Sequence, residues 1–288
     1  MIRDKKRSLV VPFLSLVTCP LSPLAFDMGC KVEVLFTPAE FQALTQRELG
    51  NTVCVVFDVL RATSTIVTAL ANGAAAFIPV EEISEALMRH QQQPDALLAG
   101  ERHGLRIGAE LTGGVAFDLG NSPREFTAAK VEGRTIISTT TNGTRALRAC
   151  ARAESVVAGC FLNLQATAGF VAAKKTKHLL LVCAGTRESA ALEDTLAAGA
   201  LCDRLIASTT AVELRDSAEI ARRVYRHAES DLSAAVRSAQ NARQLLANAD
   251  LRDDVAFCLR RDCYALTAAL GPDGVVRKRS APAARFAS

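Results

Sequence analysis

The sequence predicts an α/β fold in which helices cover both faces of a mainly parallel sheet, a layered α/β/α arrangement. Two observations predict it. Short apolar, β-branched stretches such as residues 53–57 (VCVVF) are typical of strands buried on both faces, and helix-like segments follow them. The resulting β-α-β-α-β unit occurs twice along the 288 residues, which indicates an internal duplication.

The first repeat unit, about residues 51–103, contains a turn with the groups of an anion-binding site. Asp58 follows the strand directly, and Arg61 lies in the turn that leads into a helix. Thr63 or Ser64 has the hydroxyl group that caps such a helix. Because the N-terminus of a helix offers free backbone N–H groups, this turn is suited to hold a phosphate or a carboxylate.

The second repeat unit, about residues 133–188, shows the same pattern. Residues 55–57 match 135–137 at an offset of 80. The strand ending AGER (99–102) matches AGTR (184–187) at an offset of 85. Any two β-α-β units share part of this pattern, so the matching A-G-x-R endings carry the inference of a duplication.

The turn of the second unit reads TTTNGT and is a second candidate anion site. Hydroxyl groups, an amide and a glycine lie there between a strand end and a helix start. The alternative is a simple Asn-Gly turn with Thr141 as a helix cap; the similar turn of the first unit favours the anion site. The candidate ligands are Thr139, Thr140, Asn142, Gly143 and Thr144.

Four arginines, Arg61, Arg102, Arg145 and Arg187, lie near the carboxyl ends of predicted strands. Ligands bind at these ends in open α/β sheets. A guanidinium group makes two parallel hydrogen bonds with a phosphate or a carboxylate, so these arginines are candidate substrate ligands. Taken singly, each is more often a surface residue, and Arg61 is the strongest candidate because apolar residues flank it.

The candidate acidic groups are Asp58, Glu101, Glu188, Glu193 and Asp194. Glu193 and Asp194 are adjacent in a helix whose other residues are mostly small and apolar. Mg²⁺ takes one or two protein carboxylates and completes its shell with water and substrate phosphate. Acidic residues are also favoured in the first turn of a helix by the helix dipole. The sequence leaves both interpretations open.

Spacing excludes several kinds of phosphate chemistry. The chain has no G-x-x-x-x-G-K-[ST] motif of a P-loop, and Asp58-Val59-Leu60 lacks the second aspartate of a D-x-D phosphatase. Cys54 and Arg61 are one residue too far apart for a cysteine phosphatase loop. Metal-assisted attack by water is therefore favoured over a route through a phosphoenzyme.

Composition limits the class of partner. With 34 basic and 30 acidic residues and 5% aromatic residues, the chain lacks the basic stripe with stacking rings of a nucleic-acid-binding surface. Nine scattered cysteines without a C-x-x-C pair indicate reduced thiols. No clean apolar run is long enough to cross a membrane. We expect a cytoplasmic protein that binds a small phosphorylated, sulfonated or carboxylated acid, with neither nucleic acid nor membrane as a partner.

Both ends of the chain are expected to lie outside the α/β domain of residues 31–270. Prolines interrupt the apolar run within residues 1–30, so Met28 is the expected working start, with an export signal as the alternative. Residues 271–288 are rich in Pro, Arg and Ala and are expected to be disordered. Within the domain, the later helices are expected over residues 188–206, 218–246 and 253–270.

Five motifs in order resemble the bacterial and archaeal 2-phosphosulfolactate phosphatases: FDVLRATSTIVTALANGA, AGERHGLRIGAE, DLGNSPREFT, STTTNGTRAL and AGTRESAALEDTLAAGAL. The resemblance covers about residues 31–270. It implies an α/β fold unlike the better-known phosphatase folds and Mg²⁺-dependent hydrolysis of (R)-2-phospho-3-sulfolactate to 3-sulfolactate, in coenzyme M biosynthesis.

The resemblance also implies roles for the matching residues. Asp58, Arg61 and Glu101 become the expected catalytic groups, and Asp58, Glu193 and Asp194 the expected Mg²⁺ ligands. Two other functions stay open: a phosphatase of another phosphorylated 2-hydroxy acid, and a non-catalytic binder of such acids. A homo-oligomer is also left open. With the threonine-rich turn, the expected substrate-binding residues are Ser64, Arg102, Asn121, Ser122, Thr186, Arg187 and Glu188.

Overall fold

The fold is known from a computed structural model that describes residues 29–208 and 211–280. The expected start at Met28 and the end of the expected disordered tail, beyond residue 280, lie outside the described residues. No helix in the described ranges is both long enough and apolar enough to cross a membrane.

The described residues form strands and helices in alternation over most of their length. The strands are β1 (Cys30–Leu35), β2 (Thr52–Phe57), β3 (Ala76–Val80), β4 (Leu97–Arg102), β5 (Leu105–Arg106), β6 (Thr135–Thr139), β7 (Ser155–Gly159), β8 (His178–Cys183), β9 (Val212–Leu214), β10 (Leu266–Leu270) and β11 (Val276–Ser280). The helices are α1 (Pro38–Gln42), α2 (Ala62–Ala71), α3 (Ile83–Gln92), α4 (Ala128–Val131), α5 (Gly143–Ala149), α6 (Leu164–Lys174), α7 (Leu192–Ser208), α8 (Asp216–Ala228), α9 (Leu232–Val236), α10 (Gln240–Ala247) and α11 (Arg252–Cys258).

All of these strands belong to one mostly parallel sheet, in the order β5-β4-β6-β3-β11-β10-β7-β2-β8-β1-β9. Strand β2 shows why helices must cover both faces of the sheet. Its side chains alternate between two apolar clusters: Val53, Val55 and Phe57 pack on the side of α7 and α8, whereas Cys54 and Val56 pack on the side of α2 and α5. The predicted α/β class with helices on both faces is confirmed.

The two repeat units exchange their first strands. Strand β6, the first of the second unit, lies between β3 and β4 of the first unit, and β2, the first of the first unit, lies between β7 and β8 of the second. Three antiparallel pairings through β11 and β10 separate these trios, so the trios run in opposite directions. This reciprocal order is what two exchanged copies of one unit would give, and the duplication itself stays a prediction.

The C-terminal part of the chain differs from the sequence-based expectation. Helix α11 ends at Cys258, and Leu266–Leu270 forms strand β10, so the predicted helix over 253–270 is wrong for its second half. Val276–Ser280 pairs with β10 as strand β11, so the prediction of disorder from residue 271 is wrong for this stretch. A buried Val276, pairing with Phe77 of β3, gives this polar segment an attachment in the core.

Candidate active site

A cavity of about 420 Å³ lies where the loops after β2, β4, β6 and β8 meet. Helix α10 and the residues after it form another wall. Because ligands of α/β proteins bind outside the carboxyl ends of parallel strands, this cavity is the candidate active site. The predicted site residues that line it are Asp58, Arg61, Glu101, Arg102, Asn121, Asn142, Thr186 and Arg187, together with Thr141 of the threonine-rich turn.

The hydroxyl groups at the start of α2 turn away from the cavity. Asp58, rather than Thr63 or Ser64, caps the helix, because its Oδ1 accepts the Ala62 N–H at 3.0 Å. The Ser64 hydroxyl donates to the Val59 carbonyl at 2.8 Å, and the Thr63 hydroxyl donates to the Asp58 carbonyl at 2.9 Å. From this loop, only Asp58, Leu60 and Arg61 reach the cavity.

The loops after β2 and β6 touch at Gly143. A Cβ added there would lie 2.5 Å from the Ala62 Cβ and 2.6 Å from Asp58 Oδ2. Asn142 fixes the same loop to a third one, since its Nδ2 donates to the carbonyls of Ala184, Gly185 and Arg187. Gly143 therefore allows this loop to pack closely against the side chains of Ala62 and Asp58, and Asn142 joins the loops after β6 and β8.

Glu101 holds two loops at the edge of the cavity. Its Oε1 accepts both the backbone N–H and the hydroxyl of Thr141, each at 2.9 Å. Its Oε2 accepts the Gly104 N–H at 2.7 Å. With three donors bound to one carboxylate, Glu101 serves to position the loops after β4 and β6.

Three arginines reach the cavity, and they differ in how firmly hydrogen bonds hold their side chains. Arg61 is buried, with Nη1 bound to Asp254 Oδ2 at 2.8 Å and Nη2 bound to the Gly104 carbonyl at 2.7 Å. Arg102 is held by its Nη2 on the Thr139 hydroxyl at 3.0 Å. Arg187 is exposed, and its guanidinium pairs with no residue of the described ranges. Arg145, the fourth arginine, does not line the cavity.

Three acids lie at the cavity or behind it: the half-buried Asp58 lines the cavity, whereas Glu193 and Asp194 are fully buried outside its lining. Burial raises the pKa of Asp58 to about 7, and the charges of Glu101 and Glu193 add to the rise. Burial likewise raises the pKa of Glu193 and brings that of Asp194 well above its ordinary value. Asp194 accepts the N–H groups of Val59 at 2.8 Å and Gly185 at 3.1 Å, which ties the loops after β2 and β8.

Helices α10 and α11 supply groups that the sequence did not single out. Asn241 Nδ2 donates to the Thr186 hydroxyl at 2.8 Å and to Glu193 Oε1 at 2.7 Å. Asp254 is fully buried and accepts both Arg61 and the Ser122 hydroxyl. A local signal existed only for Asp254, which is an acidic residue in a first helical turn, and such residues are usually explained by the helix dipole.

The remaining predicted site residues lie outside the cavity lining. The Ser122 hydroxyl donates to Asp254 Oδ1, and the Thr139 hydroxyl donates to the Glu81 carbonyl. The Thr144 hydroxyl donates to the Thr140 carbonyl, and the Thr140 hydroxyl accepts the Thr144 N–H. Glu188 is exposed. The full set of predicted residues outside the lining is Ser64, Ser122, Thr139, Thr140, Gly143, Thr144, Glu188, Glu193 and Asp194.

The buried acids fit a cation. Among the predicted site residues, two buried oxygens, Asn142 Oδ1 and Glu193 Oε2, have no hydrogen-bond partner in the described part of the chain. Carboxylate and amide oxygens are ligands that Mg²⁺ accepts. No three side chains of the types Asp, Glu, His and Cys are grouped as a metal site within residues 29–208 and 211–280. A Mg²⁺ ion here would therefore rest on one or two carboxylates and other oxygens.

Comparison with known proteins agrees with the geometry. A family model described as 2-phosphosulpholactate phosphatase matches residues 39–271. A protein of Caldanaerobacter subterraneus subsp. tengcongensis is 39% identical over 245 residues, which are 84% of this chain and 97% of that protein. One from Thermotoga petrophila is 41% identical over 210 residues, 73% of this chain and 85% of the other. Both are named "Probable 2-phosphosulfolactate phosphatase". This chain therefore belongs to the 2-phosphosulfolactate phosphatase family, a family of phosphoric monoester hydrolases.

Proposed function

We propose that this chain hydrolyses 2-phosphosulfolactate to 3-sulfolactate and inorganic phosphate, with Mg²⁺ as its cofactor, in the cytoplasm and as a step of coenzyme M biosynthesis. The observation that carries the proposal is one cavity lined by arginines and by the half-buried Asp58, with the buried Glu193 joined to its wall through Asn241. Arginines suit the acidic groups of the substrate, and the carboxylates suit a cation that binds its phosphate. The free thiols of the eight described cysteines agree with a reducing compartment.

Asp58 and Glu193 are the proposed Mg²⁺ ligands. Glu193 Oε2 is unpartnered, and Asp58 Oδ2 makes no hydrogen bond within the described ranges. Asp194 is a weaker candidate because its two oxygens already accept backbone N–H groups. When bound, Mg²⁺ polarises a phosphoryl group and lowers the pKa of a bound water.

The protein's own groups then have the following roles. Asp58 Oδ2 orients the attacking water, and Arg61 stabilises the negative charge that grows on the phosphoryl oxygens. Attack forms a bond between the water oxygen and phosphorus, and the bond from phosphorus to the substrate's C2 oxygen breaks. The leaving oxygen takes up one proton, the equivalent of the proton that the attacking water gives up, and becomes the hydroxyl of 3-sulfolactate.

The acidic groups that do not react need ligands of their own. Arg102 and Arg187 line the cavity beside Asn121, whose side-chain amide makes no hydrogen bond within the described residues. These three residues are the proposed ligands of the carboxylate and the sulfonate. Arg102 is held by Thr139 and therefore offers a fixed contact. Arg187 pairs with no residue of the described ranges and therefore offers an adaptable one.

A substrate panel tests the proposal. Phosphate release is measured on 2-phosphosulfolactate, 2-phospholactate, 2-phosphoglycerate and phenyl phosphate, with Mg²⁺ and with EDTA. We expect the highest kcat/KM on 2-phosphosulfolactate and its loss in EDTA. A higher kcat/KM on another phosphorylated 2-hydroxy acid would identify that compound as the substrate instead. Binding without turnover of any compound would make the protein a non-catalytic binder.

A further inference from the structure

We propose that Asp254 is a positioning residue that holds Arg61 in the orientation needed at the phosphoryl group, so that helix α11 is part of the active site. The inference rests on the proposed function, since it assigns Arg61 to the phosphoryl group. Asp254 is distant in sequence, 193 residues from Arg61.

The contacts around Asp254 fix both of its oxygens. Oδ2 accepts Arg61 Nη1 at 2.8 Å, and Oδ1 accepts the Ser122 hydroxyl at 2.7 Å. The exposed Arg124, which also pairs with Asp253, has its Nη1 3.6 Å from Oδ1. The side chain of Asp254 is 0% exposed and that of Arg61 3% exposed. Arg61 Nη2 also donates to the Gly104 carbonyl at 2.7 Å, so both Nη atoms of the guanidinium are hydrogen-bonded.

A buried ion pair of this kind is poorly explained by stability alone. The cost of removing two charges from water often equals or exceeds their attraction, and well-packed apolar residues can replace such pairs without loss. What the pair does achieve is a fixed guanidinium plane. With Nη1 on Asp254 and Nη2 on Gly104, the rotation of the planar group is defined, while its other N–H groups make no hydrogen bond within the described residues.

A fixed guanidinium matters for catalysis more than for binding. Donors that are already oriented need no rearrangement when charge develops in the transition state. Without Asp254, Arg61 would keep its charge but could turn toward other acceptors. We therefore expect its loss to lower kcat and weaken inhibition by inorganic phosphate, with a smaller change in KM, because Arg102 and Arg187 still bind the other acidic groups.

The test compares Asp254→Asn with Asp253→Asn, a change of the same charge on the exposed neighbour in the same helix. We expect kcat/KM of Asp254→Asn to fall about ten- to a hundredfold, the effect of losing one charge-assisted hydrogen bond in the transition state. Asp253→Asn should keep the wild-type value. Equal kinetics and equal phosphate inhibition in Asp254→Asn and wild type would overturn the inference.

A double-mutant cycle separates positioning from a merely structural role. Arg61→Met and the double variant Arg61→Met/Asp254→Asn are added; the double variant leaves no unpaired buried charge, so it serves if Asp254→Asn alone fails to fold. If Asp254 acts through Arg61, the double variant has the same kcat/KM as Arg61→Met. A further loss in the double variant, in proportion to the loss in Asp254→Asn, would contradict the inference.

The failure of the proposed function gives a different result. Binding of inorganic phosphate, measured by calorimetry, does not depend on turnover. If the wild type releases no phosphate from any substrate, the proposed function fails, while weaker phosphate binding in Asp254→Asn than in Asp253→Asn still supports the positioning of Arg61. If the wild type is active and both variants bind phosphate as it does, only the inference fails.

Discussion

Replacement of Glu101 by glutamine tests whether this buried carboxylate anchors loops or takes a proton. Its two oxygens accept three hydrogen bonds, from the backbone and hydroxyl of Thr141 and from the Gly104 N–H. A glutamine keeps one oxygen acceptor and presents an NH₂ group to the donor on the other side. At least one bond to a charged acceptor is lost, and each such bond contributes about 1.5–3 kcal/mol.

We therefore expect Glu101→Gln to lower the free energy of unfolding by about 1.5–3 kcal/mol. Thermal unfolding monitored by circular dichroism would show this as a Tm lower by several degrees. Since Thr141 and Gly104 line the cavity, kcat/KM should fall about tenfold or more, the effect of roughly 1.4 kcal/mol. The exposed Glu110, changed to glutamine, is the matched control and should alter neither quantity.

The opposite result would show a catalytic role for Glu101. A general base contributes about 10²–10⁴-fold to the rate. If Glu101→Gln kept the wild-type Tm and lost activity by that factor, Glu101 would be the proton acceptor, and the assignment of loop anchor would be refuted.

Three further predictions follow from the contacts around the cavity. Gly143→Ala should cost about 1–3 kcal/mol of stability and reduce activity, because the new Cβ would press on the Ala62 Cβ and Asp58 Oδ2; an unchanged Tm would contradict the close approach. In metal-free protein, the free energy of unfolding should fall as the pH rises from about 4 to about 7, because the pKa of Asp58 in the folded state, about 7, is above its ordinary value of 3.8 and the folded state binds more protons. Asp58→Asn should reduce this dependence of the unfolding free energy on pH. The same dependence in variant and wild type would contradict the prediction. Asp194→Asn should lower Tm, because Asp194 accepts backbone N–H groups from the loops after β2 and β8. Glu193→Gln should mainly weaken the rise of Tm on adding Mg²⁺, because Glu193 Oε2 is the oxygen without a partner in the described residues. Equal Mg²⁺ titrations of Tm in Glu193→Gln and wild type would remove Glu193 from the metal site.

The sequence predicted the parts of the site that lie at strand ends. Asp58 directly follows β2, Glu101 lies at the end of β4, and Arg187 comes four residues after β8. Ligands of α/β proteins bind outside the carboxyl ends of strands, and the structure places all three residues on one cavity. The buried strands were recognisable because they are continuously apolar, as in 53–57. The order of the sheet was not predictable, since the exchange of β2 and β6 depends on contacts far apart in sequence.

The direction of a side chain was the main thing that the sequence could not show. Ser64 is in a hydroxyl-rich helix start, which is equally compatible with a ligand site and with internal hydrogen bonds, and the structure shows the latter. Asn241 and Asp254 lie in helices α10 and α11, whose sequences contain no motif that indicates a functional site. Their roles arise from packing of α10 and α11 against the strand ends, which only the assembled fold reveals.

If the cavity around Asp58 is the site of phosphate ester hydrolysis, loss of the Asp58 charge must slow the reaction. The most direct measurement is phosphate release from 2-phosphosulfolactate by Asp58→Asn and wild type, with Mg²⁺ present. Asparagine keeps an oxygen for the Ala62 N–H, so the fold is retained, but it removes the charge at Oδ2. We predict a rate about 10²–10⁴-fold below wild type at an unchanged or higher Tm. A wild-type rate in the folded Asp58→Asn protein would place the reaction outside this cavity.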